Sequence, residues 1–484
     1  MLKQYCKKIV TNKVVLYLVT RYMTYAVQFI TSIWVAVKLG PFYLGIWGVI
    51  LLLINYFKLI NFGISNSLTV LLVQHKENKK QVDDYVKTAL GLLSVLGFCI
   101  ILFGIYYHLF GISYIDKYRL GNLLYVICFI AILEHINNLF MVIYRVMNNL
   151  FYVAFYQSVV PLLLFCALFA ATGWTLLMFL LGAYVLGNGL SIFFFVRGGL
   201  ISWKGKFEFV YAKIILKKGL FLFIYNLCFY LIVVSTRTIV SIFYTVEEFG
   251  YFTFAFTLAN SVLLLLEAFS FVILPKVIDR LTSADPLEIK QVIRKLRVNY
   301  ISMAHGCIYL ALLFFPVLLH FVPKYSSTLA GLQLMALAIM LNTNSFGYGS
   351  YLMAQNKEKI IAKMACISVI FNVVCALVAV IVFHIDYIYV IVSTMLAYWV
   401  YSSLCVFYAK KNLNEKPGLF KVLNEAFPLR LLIPYLCGII IVVMNYQYLI
   451  FVPLMVFILL NIKTISEIYH TIKRILISPE IVNL

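Results

Sequence analysis

The chain has 484 residues, 64% hydrophobic and 12% charged, with a mean hydropathy of +0.99. An ordinary soluble domain is about half apolar and about a quarter charged, so the soluble globular classes are excluded. The net charge of +21, from 39 Lys and Arg against 18 Asp and Glu, would suit a nucleic-acid binder. Such binding needs a broad solvated basic face, which a chain this apolar lacks, so no nucleic-acid partner is expected.

A membrane-crossing helix needs about 20 mainly apolar residues. Runs of that kind occur near 14–38, 43–72, 86–110, 121–144, 150–172, 174–196, 218–243, 249–274, 299–321, 328–354, 362–384, 387–408, 430–445 and 447–462. The expected fold is therefore an all-α polytopic membrane protein with about 14 transmembrane helices. The Lys-bearing start resembles a signal peptide, but its apolar run is too long and lacks a small-residue cleavage site, so it reads as the first helix.

The short loops give the orientation, because Lys and Arg are retained on the cytoplasmic side. The N-terminus, the loops after even-numbered helices and the tail hold 32 of the basic residues; the opposite loops hold only Lys117, Arg119 and Lys324. Subtracting the carboxylates leaves +20 on the cytoplasmic face, −1 outside and +2 within the membrane. Both termini are expected in the cytoplasm, as an even number of crossings demands.

The loops are too short for an extramembrane catalytic domain, and no phosphate-binding loop, zinc-binding helix or nucleophile elbow occurs. A transporter is expected rather than an enzyme, with no resident cofactor or metal. The ten scattered cysteines read as small buried hydrophobes. The larger inward loops, near 197–217 and 275–298, are basic and amphipathic; the tail, 463–484, carries Ile465, Ile468, Ile472 and Ile475 on one stripe, as a helix lying at the interface does.

Ionisable residues inside a spanning helix usually face a partner or a wet cavity. There are six: Arg21, Lys38, Lys58, Glu134, Arg237 and Glu267. Lys38 is expected to snorkel to the outer interface. Arg21 and Lys58 fall at similar depth, because Gly40-Pro41 turns the chain back between their helices. Two cations there suit an anionic headgroup, above all a pyrophosphate, with Arg237 as a second station. The structural alternative is that Arg21 and Lys58 pair with Glu134 or Glu267. Glu134, His135 and Glu267 are the intramembrane candidates for coupling to H⁺ or Na⁺. His108, His305, His320 and His384 sit near helix ends and read as interfacial. Most tyrosines form the interfacial belt, with Tyr225, Tyr230 and Tyr348 as candidates for stacking on sugar rings.

The chain also reads as two halves. Aligning 35–47 with 240–252 superposes Gly45 on Gly250, each just past an outer turn. A six-helix repeat keeps its orientation, so the halves form a parallel pseudo-repeat. The expected organisation is an N-lobe 1–196, a linker 197–217, a C-lobe 218–409, two further helices within 410–462 and the tail 463–484. In this register Lys58 matches Leu263, one turn from Glu267, so the two charges are expected to face one another between the lobes.

Leu39-Gly40-Pro41, then Gly45 with Trp47, then Asn61-Phe62-Gly63, resembles the N-terminal signature of the polysaccharide transport family. That family comprises the O-antigen and capsule flippases of the multidrug/oligosaccharidyl-lipid/polysaccharide exporter superfamily. One position departs: Val37 stands where the family often has Arg, and Lys38 follows it. The motif match covers about residues 34–75, with Gly40, Pro41, Gly45 and Gly63 as its turn residues. The resemblance implies a MATE-like fold, two six-helix lobes around a cationic cavity, with two added helices accommodating a lipid tail. It implies a cargo of undecaprenyl-pyrophosphate-linked oligosaccharide, carried to the outer leaflet by alternating access. A monomer among membrane lipids, beside polysaccharide polymerase machinery, is the implied setting.

Two other functions compete. A cation-coupled multidrug exporter of the same superfamily would place an acid in the first or seventh helix, where this chain has Arg21 and Arg237. A membrane polysaccharide polymerase or ligase would carry a large outward catalytic loop.

Overall fold

The computed structural model describes residues 13–477 apart from 76, 202, 284 and 417, and every regular element among them is helical. Lys3, Lys7, Lys8, Cys6 and the end of the expected tail lie outside the described residues. In chain order the elements are α1 (Lys13–Leu59), α2 (Ile64–Gln74), α3 (Lys79–Phe110), α4 (Ser113–Lys117), α5 (Leu123–Val146), α6 (Leu150–Ala167) and α7 (Gly173–Arg197). Then come α8 (Phe209–Phe243), α9 (Val246–Ser283), α10 (Pro286–His320), α11 (Leu329–Met340), α12 (Tyr348–Ala354), α13 (Glu358–Ile381) and α14 (Ile391–Asn412). The last three are α15 (Leu419–Ala426), α16 (Leu429–Val443) and α17 (Val452–Ile477).

Among the described residues, eleven helices are long and apolar enough to cross a membrane, twelve if α15 and α16, bent by 68°, count as one span. The first of these is two helices meeting at Gly40, and α9 covers a further expected segment. Each of the fourteen segments expected from hydropathy therefore has its helix, and the chain is a multi-pass membrane protein. Gly40 has φ +72° and ψ 170°, a conformation that costs a residue with a Cβ, and Pro41 restarts the helix after it.

Hydropathy misses where helices break. The expected span 43–72 stops at Leu59 and resumes at Ile64. Between them Asn61 accepts a hydrogen bond from the Gly63 N–H at 2.9 Å, and Gly63 sits at φ +74°. The expected span 328–354 is likewise broken. It consists of α11, a 3₁₀ turn over Leu341–Ser345, Gly347 at φ +88° and α12. The expected inward loops run the other way, being mostly helix. Residues 209–217 are the start of α8, and 275–298 is the end of α9 and the start of α10, parted near Asp285-Pro286. A helix carries its own backbone hydrogen bonds into water and needs no stop at the bilayer surface. The tail, expected as a separate interfacial helix, continues from α17 past Asn461 at φ −122°.

The chain divides into two compact units: one reaches Leu227 and includes Tyr244–Thr253; the other holds Cys228–Phe243 and everything from Phe254 onward. In the first, α1 packs on α5, α6 and α7, and α5 also meets α2, α3 and α7. Ile127, Ile130, Ala131 and Leu139 make α5 its buried centre. Asn137 of α5 donates to the carbonyl and side-chain oxygens of Asn188 in α7, at 3.0 and 2.9 Å. The turn at 41–45 and the start of α9 interlock reciprocally: a Cβ on Gly45 would lie 2.0 Å from the Val246 carbonyl oxygen, and one on Gly250 only 1.9 Å from that of Pro41. The two glycines matched by the repeat register thus meet within this unit. Thr245 and Glu248 close a capping box there, with Glu248 accepting from the Thr245 N–H at 2.8 Å.

In the second unit α13 pairs with α14, α11 lies among α10, α14 and α16, and α17 packs on α10 and α16. Its polar core is built on Asn372, which donates to the Ile232 carbonyl and to the hydroxyls of Ser235 and Thr236. Nine described cysteines are free thiols, and the sulfurs of Cys228 and Cys366 come within 3.3 Å.

Candidate functional site

Lys58 falls in the last turn of α1, where a cation complements the exposed carbonyls of the helix end. The helix closes in a tight turn, the Ile60 N–H shared between the Tyr56 and Phe57 carbonyls, and α5 supplies further partners for this end of α1. His135 Nε2 lies 3.0 Å from the Phe57 carbonyl oxygen; because a carbonyl only accepts, Nε2 carries the proton. Its neighbour Glu134 brings a carboxylate oxygen to 3.1 Å from Lys58 Nζ. The expectation of two uncompensated cations is therefore corrected for Lys58, whose charge is balanced inside its own unit. The structural alternative weighed for this residue is the one observed. The pair is lopsided: the Lys58 side chain is 41% exposed, that of Glu134 only 10%. The phenols of Tyr156 in α6 and Tyr184 in α7 lie in electrostatic range of both charges.

Arg21 differs. Its guanidinium donates to the Tyr25 hydroxyl at 2.7 Å and lies 4.4 Å from the centre of that ring. Among the described residues it makes no ion pair. The rest of this stretch of α1 is tied to α6 by Tyr17 donating to Gln157 at 2.8 Å and by Thr24 with Ser158 at 2.7 Å. Residues 156–158 of α6 thus touch the surroundings of Lys58 on one side and of Arg21 on the other. Lys58 is thus a paired, half-exposed ammonium, and Arg21 a guanidinium whose partner among the described residues is an aromatic phenol.

The second unit holds Arg237. It is 5% exposed, with its guanidinium 4.4 Å from the centre of the Phe256 ring. A cation packed this way is stabilised by the ring face in place of water. Glu267 lies in α9 at a position whose side chain is outside the described residues, so its expected approach to Lys58 has no described counterpart.

Other residues gain described partners, and one expectation changes. The half-exposed Lys38 donates its ammonium to the Leu168 carbonyl, capping the end of α6. His305 is buried, near the Tyr309 hydroxyl at 3.2 Å and the Asn344 side-chain oxygen at 3.4 Å, because α10 starts at Pro286 and puts residue 305 well inside the helix. Tyr348 lines a charged cleft, where its hydroxyl donates to Glu425 and its ring lies 4.7 Å from the Arg297 guanidinium. Sequence reasoning missed the tyrosines around the first-unit cations. The Arg21-Tyr25 spacing of four on a helix was a usable signal, whereas Tyr156 and Tyr184 are brought in by tertiary packing alone.

No family model matches this chain, and no curated protein sequence matches it. Its fold, however, is found among solved structures. MurJ, a lipid II flippase in an inward closed conformation, superposes with a TM-score of 0.67 at 13% identity, covering 95% of this chain and 100% of that one. A multidrug resistance MATE family transporter of the MOP superfamily, in an inward-facing conformation, gives 0.66 at 12% identity, covering 83% of this chain and 98% of the other. A MATE crystal structure in a bent conformation gives 0.51, also at 12% identity and 83% coverage of this chain. At such identities the likeness is one of fold.

Proposed function

We propose that the protein is a flippase for a lipid-linked oligosaccharide, moving an undecaprenyl-pyrophosphate-borne repeat unit from the inner to the outer leaflet of a bacterial inner membrane by alternating access. The observation that carries the reading is Arg21, a guanidinium within a spanning helix that makes no ion pair among the described residues. Such a charge is costly without a counter-ion, and a transient anionic cargo supplies one. The fold shared with a lipid II flippase over 95% of the chain supports a lipid-linked cargo.

In this reading Arg21 and Lys58 receive the pyrophosphate, and Glu134 reclaims Lys58 when the cargo leaves, so that the site does not hold its load. Arg237 offers a second station once its cover is withdrawn. Glu134, His135 and Glu267 are the residues through which H⁺ or Na⁺ would act. The protein works as a monomer, without a resident cofactor, beside a polymerase that consumes its product.

The test is translocation of a fluorescent undecaprenyl-pyrophosphate oligosaccharide in reconstituted vesicles. Arg21→Ala is expected to abolish it while thermal stability stays near wild type, and undiminished flipping would remove Arg21 from the site. The second reading, a cation-coupled multidrug exporter, is favoured by the likeness to MATE transporters. Drug efflux from a sensitised host, lost in Glu134→Gln, would establish it instead.

A further inference from the structure

A cleft of about 390 Å³ opens in the second unit, well away in sequence from Arg237 and bordered by α10, α12, the segment after α14, and the start of α16. Its charged lining is Lys290, Arg294, Arg297 and Arg430 against Glu415 and Glu425. Both carboxylates are already committed. Glu415 pairs with Lys290 at 2.7 Å and with Lys410 at 3.4 Å; Glu425 pairs with Lys410 and accepts from Tyr348.

The cations are less well served. Arg297 is 7% exposed and gives three N–H bonds to backbone carbonyls of Asn344, Phe346 and Glu425, acceptors that carry no formal charge. Arg430 donates to the Thr464 hydroxyl at 2.8 Å. Arg294 and Arg430 lie within electrostatic range of each other, a like-charge pair; the Glu467 carboxylate of α17 also acts on Arg430 from a distance, and neither arginine makes an ion pair among the described residues. A cleft whose lining carries an excess of two cations, with one arginine buried, suits an anion with several acceptor oxygens, which is the chemistry of a phosphate group.

The flank of the cleft says which kind of phosphate. α15 buries Val422 and Ala426 and turns Leu419 and Phe420 outward, 78% and 82% exposed, followed by exposed Leu429 at the start of α16. Large apolar side chains left bare beside a membrane-spanning segment lie in lipid, as on an interfacial helix. We propose that this cleft is a binding site for the headgroup of an anionic phospholipid, its phosphate held by Arg294, Arg297 and Arg430 and its acyl chains lying along Leu419, Phe420 and Leu429. A lipid seated there would bridge α10 to the α15–α16 bend.

The test uses the full-length protein released from detergent. It is titrated with palmitoyl-oleoyl phosphatidylglycerol and, in parallel, with phosphatidylcholine of the same chains, and bound lipid is counted by native mass spectrometry. One phosphatidylglycerol is expected to be retained with a preference of about thirtyfold or more, falling roughly thirtyfold in Arg294→Gln/Arg430→Gln, about fivefold for each basic residue lost. Thermal midpoints in phosphatidylcholine alone establish that the double variant is folded. If it is not, the single variant Arg294→Gln is used in its place, with an expected loss of about fivefold. Competition by millimolar inorganic pyrophosphate against phosphatidylglycerol supports the shared phosphate chemistry. Binding of pyrophosphate without any preference for phosphatidylglycerol would assign the cleft to a soluble phosphate and overturn the lipid. A preference unchanged by the substitutions would overturn the site.

Discussion

Breaking the Lys58–Glu134 pair should be asymmetric. At 3.1 Å and an effective dielectric near 20 the Coulomb attraction is about 5 kcal/mol. Water at the half-exposed ammonium screens much of that, so a coupling of about 2 kcal/mol is expected between the two positions. Removing Glu134 leaves a lysine that can turn toward water, and Glu134→Gln should cost about 1 kcal/mol. Removing Lys58 strands a carboxylate that is only 10% exposed, and Lys58→Met should cost about 3 kcal/mol. The double variant Lys58→Met/Glu134→Gln removes the stranded charge and should cost about 2 kcal/mol, recovering about a third of that loss. Thermal midpoints of the four proteins in dodecyl maltoside give the ranking. Equal losses for the two single variants, or a double variant worse than their sum, would mean that the ion pair does not organise this end of α1.

Three other outcomes follow from the geometry. Gly45→Ala and Gly250→Ala, each driving a Cβ to within 2.0 Å of a carbonyl oxygen, should lower the thermal midpoint markedly, by about 2 kcal/mol or more, whereas Gly182→Ala, with nothing within 4 Å, should leave it unchanged. Lys290 and Lys410 beside Glu415, in the loop after α14, hold its carboxyl below the usual range. A depressed folded pKa adds stability above the unfolded value and loses it as pH falls through the folded one. Wild type should therefore exceed Glu415→Gln in thermal midpoint at pH 7, with the difference shrinking as pH falls below the ordinary carboxylate range. Finally, with all other cysteines replaced, Cys228 and Cys366 should cross-link rapidly under copper-phenanthroline, given their 3.3 Å separation, and Cys366→Ser should abolish the mobility shift.

Hydropathy and the loop charges made the multi-pass helical fold legible, because about 20 residues of hydrocarbon-compatible side chain is a demand the bilayer places on sequence directly. The same holds for the turn at Gly40-Pro41, since only local backbone chemistry decides it. The Gly45–Gly250 correspondence was visible as a repeat, although that the two interlock is a fact of packing. Hydropathy averages over a window and so passed over the breaks at Gly63 and Gly347, where one residue's φ interrupts an otherwise apolar run.

The candidate site divides along the same line. Sequence alone pointed to six ionisable groups in apolar segments, with cations outnumbering anions among them, because composition is a local property. Which cation is neutralised was decided only by the fold. Glu134 is 76 residues from Lys58, and the expected partner across the repeat, Glu267, is much further; the packing of α5 against the end of α1 put one within 3.1 Å. It also left Arg21 to an aromatic phenol and drew Arg297 in to satisfy the carbonyls of a broken helix. Electrostatic pairing depends on distances of a few ångströms between segments remote in sequence, and only tertiary structure sets those.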